Sequence, residues 1–267
     1  MDALKPITVI TGASAGIGAA LARVFARNGY MLALVARRGD RLRALADEIA
    51  LSGSARPLVI VADLQRSEAT REIGAALAAQ GYEPQYMINN AGFGLVGSAA
   101  SLDRNEQLAM VDLNIRMLTD LSLAFIDSLS RQRGGILNVG SMAGFLPGPG
   151  MTVYYATKAY VLSFSEALHC ELKRRGVRVS VLCPGPVPTE FAERAGIKGG
   201  SLAPDFLIQS AEDVAEAGYR GLMRGKRTIV PGLVNKLIVL LIKTMPRGLL
   251  LAAVGRRQNQ RRSAKVS

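Results

Sequence analysis

The sequence predicts an α/β fold: a doubly wound parallel sheet of about seven strands with helices on both faces, in a single domain. Three observations predict it. Short β-branched runs alternate with stretches of helical apolar spacing from Pro6 to about Val230. A glycine-rich turn follows the first of those runs. The chain has 267 residues, 49% apolar but only 5% aromatic and without tryptophan, which suits one domain of buried aliphatic strands under alanine-rich helices.

Pro6–Thr11 is the first strand; Ile17–Arg27 has helical spacing and stops at Asn28-Gly29. Met31–Ala36 and Asp40–Leu51 repeat the unit, as do Pro57–Val61 with Ser67–Gln80. Gln85–Ile88 leads into one long helical pattern from Asp103 to about Leu129. Gly135–Val139 is a fifth strand; a Gly/Pro-rich loop ends near Gly150 and a helix covers Val153–Arg174. Val177–Cys183 is the sixth strand, Pro184–Ser210 reads as irregular, Ala211–Met223 is helical, and Arg227–Val230 supplies a last strand.

Composition removes several chemistries. The only histidine is His169, and Cys170 and Cys183 stand in no metal-ligand spacing, so neither a metal site nor a histidine-based triad has material to build on. Both cysteines are expected as buried free thiols in a reducing cytosol. The N-terminus runs as a strand into a turn rather than as an export signal, and the most apolar stretch, Leu233–Val254, is interrupted by Lys236, Lys243, Pro246 and Arg247, which argues against a spanning helix. A cytoplasmic protein is expected, or one held at a membrane periphery by its tail. The net charge of +12 sits after Glu216, where twelve cations and no acidic residue occur; the remaining chain balances. No nucleic-acid-binding pattern accompanies it.

Thr11-Gly12-Ala13-Ser14-Ala15-Gly16-Ile17-Gly18 lies between strand and helix, where glycines let phosphate approach backbone amides at a helix N-terminus. Its TGxxxGxG spacing resembles the classical short-chain dehydrogenase/reductase family, a Rossmann-type fold, and the likeness recurs in order along the chain. Asn89-Asn90-Ala91-Gly92 is similar to the family's NNAG; Asn114 and Ser141 match its catalytic Asn and Ser; Tyr154-Tyr155-Ala156-Thr157-Lys158 matches YxxxK, 13 residues after the Ser; Pro184-Gly185-Pro186-Val187-Pro188-Thr189 resembles its PGxVxT. The resemblance implies catalysis by Asn114, Ser141, Tyr154 and Lys158. It also implies cofactor contacts from Gly12, Ser14, Gly16, Ile17, Gly18, Asp63, Leu64, Asn90, Ala91, Gly92, Pro184, Gly185, Val187 and Thr189, together with Tyr154 and Lys158.

The chemistry needs these residue types. A carbonyl that accepts hydride must be protonated, and Lys158, one helical turn from Tyr154, is expected to lower the phenol's pKa so that it serves as acid in reduction and base in oxidation. Ser141 would hold the carbonyl, and Asn114 would bind a water feeding protons toward Lys158. Tyr155 competes for the acid role, but four residues on it meets Ala159. Ala36 stands where NAD-preferring relatives carry an acid, and Arg37 or Arg38 can pair with a 2′-phosphate, so NADP(H) is expected over NAD(H).

Phe93, Met142, Phe145 and Phe191, beside Ser141 and Tyr154, are expected to line the substrate pocket, with Leu95, Val96, Leu146, Phe206 and Leu207 adding apolar wall. They point to a small lipophilic carbonyl or alcohol: a ketone, aldehyde or 3-oxoacyl group. Residues 1–231 thus read as the catalytic domain, with a substrate lid at about 186–210, and 232–267 as a basic amphipathic extension. In Leu233–Met245 the residues Asn235, Lys236 and Lys243 leave a narrow polar stripe on an otherwise apolar helix, which must be buried against the enzyme itself, a partner subunit or an anionic bilayer. A homodimer or homotetramer is expected. A nucleotide-sensing or scaffold protein on the same fold is the competing class; the intact Asn114, Ser141, Tyr154 and Lys158 argue against it.

Overall fold

The computed structural model describes residues 4–196, 204 and 207–251. The central strands are short, largely aliphatic runs buried on both faces, which drives them into the middle of a layered structure, while the edge strand over Leu58–Val61 is partly exposed. β1 (Lys5–Thr11) is followed by α1 (Gly16–Arg27), β2 (Leu32–Ala36), α2 (Gly39–Leu51), β3 (Leu58–Val61), α3 (Ala69–Ala79) and β4 (Tyr82–Asn89). The second half holds α4 (Arg104–Val111), a π-helical turn (Asp112–Met117), α5 (Leu118–Ala124), α6 (Ile126–Arg131), β5 (Gly135–Val139), a 3-10 turn (Met142–Phe145), α7 (Thr152–Leu172), a second 3-10 turn (Lys173–Arg175) and β6 (Arg178–Leu182). Then come α8 (Glu190–Arg194), α9 (Ala211–Met223), β7 (Thr228–Ile229) and α10 (Leu233–Thr244).

All seven strands are parallel in the order β3-β2-β1-β4-β5-β6-β7. The chain turns from one direction of winding to the other between β1 and β4, the place where loops diverge and open a crevice at the strands' carboxyl ends. Two aliphatic clusters, one per face, fill the layers: Ile10, Leu21, Phe25, Leu34, Ile88 and Leu182 on one side, and Ile7, Val9, Val35, Ile73, Met87 and Ile136 on the other.

The departures from the sequence expectation have physical causes. The long helix after β4 is not continuous: the π-helical turn carries Asn114 in its middle, and the helix breaks again at Phe125 (φ −108°), whose ring turns in toward Gly74 and the core. α3 starts two residues later than the apolar spacing suggests. Asp63 closes a turn first, accepting at Oδ1 from the Gln65 amide at 3.1 Å. The segment read as irregular contains α8, capped by Thr189. Cys183 is buried as expected, but Cys170 is exposed, because it lies on the outer side of α7. His169 is tied to β6, its Nδ1 lying 2.7 Å from the Val179 carbonyl oxygen. α10 inverts the expected amphipathic order: Asn235 and Val239 are its buried residues, and its leucines face outward. Phe206 and part of the expected lid lie outside the described residues.

Candidate active site

At the crevice, β1 ends in Thr11, whose hydroxyl ties β1 to β4: it donates to the Ile88 carbonyl at 3.2 Å and accepts from the Asn90 and Ala91 amides at 3.0 and 3.1 Å. Asn90 Nδ2 returns the tie by donating to the Thr11 and Gly12 carbonyls at 2.9 and 3.2 Å. This lacing leaves no room for side chains. A Cβ at Gly18 would lie 2.3 Å from the Gly12 oxygen, and one at Gly12 would lie 2.8 Å from Asn90 Nδ2. Gly16 has a positive φ of 54° and is covered by the Thr189 methyl, 2.9 Å from where its own Cβ would be. The first turn of α1 begins after Ala15 with no side-chain cap and no acidic residue. Its amides therefore point into a glycine-walled cradle, which is the donor set a pyrophosphate requires. The residues present fit a dinucleotide, and Val187 packs against the cluster that holds Ile10 and Ala13.

The four candidate catalytic side chains meet where β4, β5 and α7 adjoin. Lys158 is buried, donates from Nζ to the Val139 carbonyl at 2.8 Å and stands 5.8 Å from the Tyr154 ring centre. Burial pushes its pKa down to about 8. Tyr154 is also buried, and burial pushes its phenol up to about 12, with the neighbouring Ser141 hydroxyl pulling the other way. Desolvation of the phenolate dominates, and Lys158 Nζ directs one of its three protons to the Val139 carbonyl. Ser141 caps the 3-10 turn by accepting from the Ala143 amide at 3.1 Å, so its O–H proton is left to donate toward the crevice.

The Asn114 side chain reaches the Phe93 backbone and Thr157. Its Oδ1 accepts from the Phe93 amide at 3.1 Å; its Nδ2 donates to the Phe93 carbonyl at 2.9 Å and to Thr157 Oγ1 at 3.1 Å. Both amide protons and one acceptor site of the carbonyl oxygen are committed, so the side chain clamps the Phe93 backbone to α7. Thr157 in turn donates to the Tyr154 carbonyl at 2.8 Å. Gly92 fits over the clamp: a Cβ there would lie 2.9 Å from Asn114 Oδ1 and 3.7 Å from Lys158 Nζ.

Phe93, Tyr154 and Phe191 come together with Met110 and Ala143, the Tyr154 and Phe191 rings 5.3 Å apart. Met142 joins the edge through its amide, which donates to the Pro184 carbonyl at 2.9 Å. Phe145 does not join them. It packs with Leu118, Val161 and Cys183 and lies under Lys243 of α10, 5.2 Å from ring centre to Nζ. Arg194 of α8 stacks 4.3 Å over Phe93, so a cation borders the apolar wall.

At the end of β2, Arg38 donates to Ser14 Oγ at 3.2 and 3.1 Å and to Glu190 at 2.7 Å, and Arg41 pairs with the same carboxylate. Those contacts hold the Glu190 carboxyl below its usual range. Arg37 is exposed beside them. Sequence reading missed Thr11, Thr157, Arg41 and Glu190. Thr157 was legible inside YYATK as the hydroxyl one turn from Tyr154, whereas the meeting of Glu190 with Arg38 and Arg41 spans about 150 residues and leaves no local signal. A polar chain crosses the sheet beneath the site. Asn89 donates to Ser122 at 3.0 Å and Asn138 at 2.9 Å, and Asn138 donates to Ser165 at 2.9 Å. Its sign was the lone polar Asn138 in an apolar strand.

The profile of the short chain dehydrogenase family matches residues 6–233. The chain is 40% identical over 216 residues to a sulfoacetaldehyde reductase of Chromohalobacter salexigens, covering 78% of this chain and 84% of the relative. It is 35% identical over 218 residues to the NADP-dependent 3-hydroxy acid dehydrogenase YdfG of Salmonella typhi, covering 79% and 86%. The solved short-chain dehydrogenase from Sphingobium yanoikuyae in complex with NADPH superposes with a TM-score of 0.77 at 32% identity, over 91% of this chain and 97% of that one.

Proposed function

The chain belongs to the short-chain dehydrogenase family, and from that premise we propose that it is a cytoplasmic NADP(H)-linked reductase of lipophilic ketones, aldehydes or 3-oxoacyl groups. The observation that carries the reading is Tyr154, a neutral buried phenol between Ser141 and Lys158 at the mouth of the glycine cradle. The cradle residues Gly12, Gly16 and Gly18 would hold the pyrophosphate, and Asn90, Pro184-Gly185, Val187 and Thr189 the nicotinamide end. Asp63 would border the adenine, and Arg37 and Arg38 would face the 2′-phosphate. Bound NADPH supplies the hydride.

Everything else falls to the chain's own side chains. Ser141 donates to the carbonyl oxygen and fixes its direction. Tyr154 gives that oxygen a proton as negative charge develops, and its high pKa keeps the proton in place throughout the neutral range. Lys158 holds positive charge close to the phenolate left behind. Asn114 acts as a positioning residue, binding the Phe93 backbone to α7 so that the pocket wall and Tyr154 keep register. Phe93, Tyr154 and Phe191 exclude water and favour an apolar substrate.

Arg194 supports a second reading, in which the substrate carbonyl carries an acid group; two of the relatives above are named for a sulfonate aldehyde and a hydroxy acid. NADPH oxidation with a panel of neutral and anionic carbonyls separates the two. Tyr154→Phe keeps the ring and removes the proton, so turnover on any accepted carbonyl should fall by a factor of about 10² or more while NADPH affinity is kept. Near-normal turnover in that variant overturns the assignment.

A further inference from the structure

α10 is seated on the enzyme by a narrow seam. Asn235 is buried, its side-chain amide paired with that of Gln209 at 3.0 Å and 2.7 Å from where Gly185 would carry a Cβ. Val239 is buried beside it, and Lys243 covers Phe145. The opposite face is apolar and uncovered: Leu233, Leu237, Leu240 and Leu241 are 77%, 66%, 61% and 58% exposed. A helix whose polar residue is inside and whose leucines are outside requires a cover.

Lys236 and Lys243, seven residues apart, lie along one flank between the seam and the leucines. On that flank Lys243 also lines a recess of about 490 Å³ with His169, Cys170, Lys173, Arg227 and Thr228. Glu166, 3.4 Å from Arg227, offsets one of the recess's three Lys/Arg charges. The chain then continues beyond Leu251 with five more cations and no acid.

We propose that this face is a docking surface for an anionic phospholipid bilayer, with the leucines at the acyl boundary and Lys236, Lys243 and the recess at the headgroups. A second copy fits the face poorly. An isologous contact would set the same lysines against one another, and a different apolar patch lies elsewhere, at Leu123 and Tyr160. Residues 252–267 offer two valines and three alanines as apolar side chains against five cations. Because the seam rests on Gly185 and Phe145, docking brings the loops that bound the active site to the lipid, where an apolar substrate is dissolved. The docking itself does not depend on the proposed reaction.

Flotation of the full-length protein with phosphatidylcholine vesicles and with phosphatidylglycerol–phosphatidylcholine vesicles, at low and high salt, tests it. Wild type should partition to the anionic vesicles about tenfold or more over the neutral ones, and salt should release it. Leu237→Glu with Leu241→Glu should lose that binding while keeping the melting temperature and NADPH turnover on a soluble carbonyl. In a chain without tryptophan, Leu240→Trp gives a single indole whose emission should shift to the blue on the anionic vesicles. Tyr154→Phe should float as wild type does, which separates this test from that of the reaction. Failure of wild type to float overturns the proposal. So does a double variant that floats unchanged, which would assign binding to the basic tail alone, or one that merely changes oligomeric size.

Discussion

Lys158 carries a cost that the fold tolerates for the sake of the site. Its ammonium is buried and satisfied by one carbonyl, and its pKa falls to about 8 from an ordinary 10.5. Between those values the unfolded chain holds the proton and the folded chain does not, so this group makes stability rise with pH across the window; below about pH 8 the buried charge is borne in full. Tyr154 and Cys183, raised to about 12, act in the opposite sense at higher pH. Comparing wild type with Lys158→Met cancels those two. The difference in melting temperature should therefore move in wild type's favour from pH 7 to pH 10, and a pH-independent difference would show that Lys158 keeps its proton in the folded interior across that range, so that burial does not lower its pKa. The arginines pose a separate question. Removing Arg37 and Arg38 takes away charge-assisted contacts to a 2′-phosphate, each worth roughly 1.5–3 kcal/mol. Titration of Arg37→Ala/Arg38→Ala should show NADPH affinity falling at least about tenfold, with NADH affinity nearly unchanged. Equal affinity of wild type for the two nucleotides would refute the reading of Ala36-Arg37-Arg38.

Short elements, rather than long ones, set the geometry of the crevice. The π-helical turn Asp112–Met117 exists inside a longer helical run and delivers Asn114 to the Phe93 backbone and Thr157; such single-turn insertions are frequent at functional sites. α8 is only five residues long, yet it contributes Phe191 to the pocket, Arg194 over Phe93, and Glu190 to the arginines at the end of β2. The Glu190 carboxylate occupies guanidinium groups that a 2′-phosphate would otherwise take. These pairs are nearly half exposed, so each is worth at most about 1 kcal/mol. Glu190→Gln should accordingly tighten NADPH by up to about fivefold and leave NADH alone. Weaker NADPH binding in this variant would instead make Glu190 a support for the arginines.

At the scale of the molecule, two of the apolar surfaces exposed among the described residues differ in character. On α5 and α7, Leu123 is 49% exposed beside Tyr160, which stacks on Phe164 at 5.7 Å and meets Thr119 at 2.9 Å. That surface is rigid, aromatic and without a concentration of one charge, which suits contact with another copy. Leu123→Glu should reduce the particle to a smaller species in light scattering without unfolding it; an unchanged mass would move the assembly surface elsewhere. The α10 surface is aliphatic and flanked by cations, and the described helices include none long and apolar enough to cross a membrane.

Periodicity and turn chemistry alone determined the sheet-and-helix alternation and most boundaries to within a few residues, while the order Gly12 to Thr189 in which the site is written came from the resemblance to the short-chain dehydrogenase family. These are local properties: a buried parallel strand has to be aliphatic, and a phosphate cradle has to be glycine. Tertiary structure decided what depends on desolvation and on distant partners. It raised Tyr154 by burying it, gave the Asn114 side chain the Phe93 backbone to clamp, and moved Phe145 out of the pocket. It also reversed α10. Asn235 looks like a solvent-facing residue in an apolar helix, but Gln209 pairs with its amide and the missing side chain of Gly185 leaves it room. Once Asn235 was drawn inward, helical geometry required the leucines to point out.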